Sequence, residues 1–373
     1  MAEIKTAIGL MSGTSMDGID VALVKTDGES VVERGASAFF PYSAAFRKRI
    51  GNSLETAKQI IKRIERPGNL SAIEMEITDL HVEAVNEFLR KNELSSREVD
   101  VLGFHGQTVL HRPDEALTVQ LGDGQKLAAE TGIKTVFDMR AKDMEHGGQG
   151  APMIPVYHHA LTANLPNEYS AIEPVAFVNI GGISNISYVG EELIAFDTGP
   201  GNALIDQWVQ RNVGIPYDDG GIIAAEGMIE ERIVSEYMGD PFFNKPVPKS
   251  LDRNDFELPE NPPFSVETVA RSLARVTAQS IFRAVEHFPV APKLWIICGG
   301  GRLNPHIMRD LRQMGAQLDS EVILAEEAEL NGDSMEAEAW GYLSVRSIKQ
   351  LPLTFPKTTG VKSAIHGGLI RTP

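Results

Sequence analysis

The chain has 373 residues, and its 35 Lys or Arg against 51 Asp or Glu give a formal charge of −16 at pH 7. Two domains, each able to bury its own core, fit that length, and 42% hydrophobic with 23% charged residues is the make-up of a globular protein, far from disordered or collagen-like chains. So acidic a chain, without a basic stripe interleaved with aromatics, argues against nucleic acid as a partner, and any phosphorylated ligand has to be held locally. The one cysteine, Cys298, cannot form an internal disulfide and reads as core filling. No signal peptide and no stretch of roughly twenty apolar residues is present, so a cytoplasmic protein without a membrane partner is expected.

In chain order, the apolar runs Ile4 to Met11, Ile19 to Val24 and Val31 to Phe40 predict three antiparallel strands, with a glycine-rich turn between the first two and Asp27-Gly28 between the last two. From Ala44 to Asn92 the spacing turns helical and predicts one long helix. Short strands follow at Val101 to Phe104, Leu117 to Leu121 and Lys134 to Phe137, with a helical patch at Gln125 to Glu130. From about residue 175 the opening theme returns: Val175 to Ile180, a Gly181 to Asn185 turn, Ile186 to Val189, then Leu193 to Phe196. Helices are expected from Asn202, Met228, Val266, His306 and Met335, and strands at Leu294 to Cys298 and Val322 to Ala325. Two units that each open on a hairpin around a glycine turn point to a duplicated α/β fold with a central cleft.

The first turn, Ser12 to Gly18, strings backbone N–H groups, glycines and hydroxyls together as a phosphate cradle would, and a polar hairpin turn explains it equally well. Its Gly13-Thr14-Ser15-Met16 also resembles the serine segment of subtilisin-like proteases, but no His or Asp precedes Ser15 as that chemistry requires. A Walker lysine motif is absent, and Gly299-Gly300-Gly301 lacks the spaced third glycine of a dinucleotide fold. Asn179 to Asn185 repeats the first turn's logic. Asp197 ends a strand before a Gly/Pro loop and a helix, where a general base can be presented, with Asn202 the better candidate for a plain helix cap. His105, Gln107 and Thr108 suit polar contacts to a hydroxyl-rich ligand, as do Asp138, Gln149 and Arg140, the last apt for a carboxylate, although for each taken alone a surface loop is the better reading. No histidines and carboxylates are spaced for a metal cage.

Together GLMSGTSMDGID at Gly9 to Asp20, HGQT at His105 to Thr108, GGQGAP at Gly147 to Pro152, NIGGISN at Asn179 to Asn185, FDTGPGN at Phe196 to Asn202 and CGGG at Cys298 to Gly301 resemble the anhydro-N-acetylmuramic acid kinase family. The resemblance implies two duplicated RNase H-like α/β domains of the actin-like ATPase fold, residues 1–130 plus about 352–373 and residues 131–351. It implies an enzyme that uses ATP and Mg²⁺ to open the 1,6-anhydro ring with water and phosphorylate O6 during cell-wall recycling. By position, Gly13, Thr14, Ser15, Met16, Asp17, Gly18, Ile19 and Asp20 form one phosphate loop and Gly181 with Gly182 the other. Gly299, Gly300 and Gly301 fall at the nucleotide, Asp197 at the catalytic aspartate, and His105, Gln107, Thr108, Asp138, Arg140, Gln149 and Asn202 at the sugar; the Mg²⁺ ligands stay open. Pro248 to Arg253 departs from the family pattern, with Leu251-Asp252 where Thr-Gly is usual, and its role is unassigned. A kinase for a plain hexose and a non-sugar actin-like ATPase are the rival readings, against which HGQT and GGQGAP count. A homodimer is raised by the likeness alone.

Overall fold

The computed structural model describes residues 3–13, 16–251 and 255–373, so Thr14 and Ser15 of the first turn, and Asp252 and Arg253, lie outside the described residues. The chain divides into two compact units, Met1–Asn164 with Ser334–Pro373, and Leu165–Asp333.

In the first unit the expected opening strands form: β1 (Lys5–Ser12), β2 (Gly18–Thr26) and β3 (Val32–Pro41), all antiparallel, with Met11 opposite Asp20 across the first turn. The turn into β3 is built by Asp27, whose Oδ1 accepts the N–H groups of Glu29 and Val31 at 2.8 and 2.9 Å. The single long helix expected over Ala44 to Asn92 is two helices, Ala44–Ala57 and Leu70–Lys91. Pro67 has no N–H to donate and Gly68 takes a φ of +60°, so the helical ladder cannot cross them. The chain then returns as β4 (Val101–Arg112), parallel to β1, with β5 (Leu117–Leu121) folded back antiparallel on it. β6 (Thr135–Phe137) lies parallel to β4.

The second unit repeats this plan. β7 (Val175–Ile180), β8 (Ile183–Val189) and β9 (Leu193–Pro200) form an antiparallel meander, and β10 (Leu294–Cys298) then β11 (Glu321–Leu324) add in parallel beside β7. Its order, β11-β10-β7-β8-β9, is that of β6-β4-β1-β2-β3 in the first sheet, to which β12 (Leu369–Arg371) is added antiparallel to β6. Parallel neighbours need crossovers, which the helices supply. The helix Val266–Arg283 starts at Ser265, whose Oγ accepts the Thr268 N–H, and is joined to the helix Pro305–Gln317 by a buried bidentate pair from Arg271 to Asp310, both bonds 2.8 Å. Among the described residues no helix is long and apolar enough to cross a membrane.

Segments 131–164 and 334–351, read from the sequence with the second unit, pack with the first. β6 completes the first sheet, and the helix Met335–Ile348 lies on β1, β2 and β4. Missing side chains allow that approach: a Cβ on Gly9 would stand 1.7 Å from the Ala337 carbonyl oxygen, and one on Gly103 2.0 Å from that of Trp340. Backbone cannot move aside as a flexible side chain can. Gly9→Val or Gly103→Val should therefore lower stability by about 3 kcal/mol, the upper part of the usual overpacking range, read as a fall in the urea midpoint; an unchanged midpoint in both would refute this packing.

Candidate active site

Three strands run at their carboxyl ends into glycine turns: β1 into Gly13, β7 into Gly181-Gly182 and β10 into Gly299 to Gly301. In open α/β sheets such ends are where ligands meet backbone. In the second unit the turns are bonded to one another. The carbonyl of Gly181 accepts the N–H of Asn202 at 2.8 Å, and that of Gly182 the N–H groups of Gly201 and Ala203 at 3.0 and 3.2 Å. The start of the helix Ala203–Val213 is thus tied to the NIGGISN turn; Asn202 makes no side-chain cap bond. A Cβ on Gly299, which takes a φ of +76°, would lie 2.2 Å from Asn179 Oδ1, and one on Gly301 2.2 Å from the Ile180 side chain. Gly300 differs: it is exposed, and a Cβ there would meet only Asn202 Nδ2, at 3.9 Å.

Asp197 sits on β9, the edge strand of the second sheet. Its N–H donates to the Lys249 carbonyl at 2.9 Å, and its Oδ2 accepts the Leu251 N–H at 2.8 Å. Burial pushes its carboxyl up to about 7, against the opposing pull of that N–H. A carboxylate poised there is half ionised near neutral pH and suited to taking a proton.

In the first unit the sugar candidates gather around β4. His105 and Gln107 are buried. Gln107 Nε2 donates to the Gly13 carbonyl at 3.0 Å, tying HGQT to the first turn, where Met16 N–H returns to the same carbonyl at 3.1 Å. Tyr42 N–H donates to the Asp17 carbonyl, while Gly18, Ile19 and Asp20 belong to β2. Thr108 Oγ1 accepts from Gln120. Arg140 donates to His105 Nε2 at 3.1 Å and to the Gly150 carbonyl at 2.8 Å, and stands over the Trp340 ring at 5.4 Å. Burial, then Arg140, holds His105 well below its ordinary pKa, so the ring is neutral and its Nε2 accepts. Asp138 is paired with Arg63, and burial raises its carboxyl all the same. Gln149 is tied through its N–H to the Thr359 carbonyl.

Sequence reasoning missed Glu336, a half-buried carboxylate on the helix Met335–Ile348 that acts electrostatically on Arg140, whose pKa burial pulls down to about 10. Burial raises the Glu336 carboxyl. Its neighbour Glu338 is structural, accepting from Tyr157 Oη at 2.7 Å and Ser334 Oγ at 3.0 Å. Two glutamates two apart were the available signal, but helical spacing gives no reason to separate them. Lys249 and the Leu251 N–H were missed as well, because they act on Asp197 through main chain.

The chain is 54% identical over 372 residues to an anhydro-N-acetylmuramic acid kinase of Agrobacterium fabrum (strain C58 / ATCC 33970), covering 99% of each chain. It is 52% identical to the enzyme of that name from Rhizobium johnstonii over the full length of both, and 51% identical to that of Brucella abortus (strain 2308) over 99% of both. A family model described as anhydro-N-acetylmuramic acid kinase matches residues 5–372. This coverage means that the chain belongs to the anhydro-N-acetylmuramic acid kinase family.

Proposed function

We propose that this kinase opens the 1,6-anhydro ring of 1,6-anhydro-N-acetylmuramic acid with water and phosphorylates O6, giving N-acetylmuramate 6-phosphate for peptidoglycan recycling. The observation that carries this reading is Asp197, a carboxylate whose pKa burial raises to about 7, beside the glycine turns that suit a nucleotide. Plain transfer from ATP to a free hydroxyl needs no water; opening a ring with water calls for a base to receive its proton. Water attacks C1 and gives its proton to Asp197, the C1–O6 bond breaks, and O6 attacks the γ-phosphorus as the bond to the ADP oxygen breaks. His105, Gln107, Thr108, Asp138, Arg140, Gln149 and Asn202 orient the sugar, and the three turns hold the phosphates and adenosine through backbone.

Among the described residues no group of three or more His, Cys, Asp or Glu side chains is arranged to hold a metal. Mg²⁺ needs no such group, because it binds through one or two carboxylates together with phosphate oxygens and water. Asp17, in the first turn, and Asp20, just after it on β2, would hold it, and when bound it would neutralise charge on the transferring phosphoryl group. Dependence on ATP puts the reaction in the cytoplasm.

Asp197→Asn keeps the side chain's shape and removes its basicity. Turnover should fall roughly 10²- to 10⁴-fold, with ring opening and ADP release falling together, and product formed in ¹⁸O-water by the native enzyme should carry the label at C1. An unlabelled C1 would sink the reading. Because the base works only when ionised, and its carboxyl lies at about 7, kcat should rise with pH through neutrality. The residual rate of the Asn variant should lack that limb.

Gly300→Val tests the nucleotide turn. The space around residue 300 accepts a side chain, so the variant should fold with its urea midpoint kept, and KM for ATP should rise several-fold because the backbone is no longer approachable. Unchanged ATP kinetics in the folded variant would make the turn structural.

A further inference from the structure

Lys249 is a charged side chain that the chemistry above does not use, and it is only 6% exposed. Its ammonium donates to the carbonyl oxygens of Phe242 at 3.2 Å and Phe243 at 3.1 Å. It lies 4.6 Å from the Phe242 ring centroid and 5.8 Å from that of Phe196. Burying an ammonium is expensive, and an apolar side chain would fill the same space at less cost. What the cation adds is direction, because two carbonyls and two aromatic faces fix where residue 249 sits.

That fixed point matters because of what its main chain does. The Lys249 carbonyl accepts the Asp197 N–H, so the segment covers the open edge of β9. Two residues on, the Leu251 N–H reaches Asp197 Oδ2. The ammonium shares its pocket with Phe196 and Thr198, the strand neighbours whose side chains point to the face opposite Asp197. Lys249 therefore grips the strand from behind while its backbone meets the carboxylate at the edge.

We propose that Lys249 is the positioning residue of the Asp197 carboxylate, anchored on the Phe242 and Phe243 carbonyls so that the Leu251 N–H stays on Oδ2. Its kinetic consequence rests on the reading of Asp197 as the base; its geometric content does not. Burial, with Arg283 and Lys245 nearby and Glu286 opposing, lowers the ammonium pKa to about 8, which leaves the anchor charged at neutral pH.

The test combines Lys249→Met, which keeps the stem and removes the charge, with Lys249→Arg and with replacement of the Leu251 amide by an ester, which removes that N–H alone. Two readouts are taken: the pH profile of kcat, and the titration of the Asp197 carboxyl by ¹³C NMR, assigned by its absence in Asp197→Asn. A hydrogen bond to the ionised form favours it, so losing the bond moves the titration upward. In K249M the NMR titration and the acidic limb of kcat should both move up by about half a pH unit or more, and kcat at neutral pH should fall roughly 10- to 100-fold. K249R should restore most of both.

The ester should reproduce the shift with Lys249 intact, and K249M plus ester should shift no further than the ester alone, since both act through one contact. A larger, additive shift would mean that the charge acts through space and would overturn the proposal. So would a folded K249M that loses rate with the carboxyl titration unmoved, which is the mark of a merely structural lysine. If K249M does not fold, K249R and the ester decide: a carboxyl titration unmoved by the ester overturns the proposal. A carboxyl that shifts while the kcat limb stays put upholds the positioning and defeats the base reading.

Discussion

The second unit depends on main chain packed directly against main chain at the ends of its central strands. Asn202, Gly201 and Ala203 present N–H groups to the Gly181 and Gly182 carbonyls, and Gly299 and Gly301 press on Asn179 and Ile180. Turns bonded in this way have little freedom left to lose when a ligand arrives. The same economy appears in the first unit, where Gly9 and Gly103 let a helix lie on the sheet at backbone distance. Glycine is spent here on approach more than on unusual dihedrals.

As the proposed base, Asp197 carries the opposing demand. A base has to be desolvated enough to hold its proton affinity near neutrality, yet a carboxylate buried without a donor would stay protonated and be useless. Burial raises it and the Leu251 N–H draws it back, and the balance falls at about 7. The donor is backbone, so its service is indifferent to the side chain at 251.

The parts of this architecture legible in the sequence were those that periodicity and turn chemistry control. Apolar runs gave β1 to β3 and β7 to β9, and the glycine clusters marked the strand ends. The break between Ala57 and Leu70 was signalled by Pro67-Gly68 and overridden by an apolar spacing that continued on both sides. The unit to which Met335–Ile348 belongs was not legible, because what seats it is two missing side chains on β1 and β4, more than 200 residues away in the chain. At the candidate site, residue types singled out Asp197, His105 and Arg140. They could not find that Arg140 is already engaged by His105 and the Gly150 carbonyl. Nor does sequence say which of two glutamates faces Arg140.

The two units share one plan and depart from it in one strand. In both, a meander supplies three strands and two parallel strands follow. The second unit keeps to that plan, so its strand ends are bare glycine turns. In the first, β4 runs on to Arg112 and carries β5 as an added hairpin, so its residues beyond Phe104 project side chains where the second unit has only backbone. His105, Gln107 and Thr108 all lie on that extension. A hydroxyl-rich sugar needs donors and acceptors at many angles, which side chains provide, whereas phosphate oxygens need convergent N–H groups, which turns provide. The extra length of β4 thus gives the first unit a run of polar side chains that the matching strand of the second, β10, is too short to build.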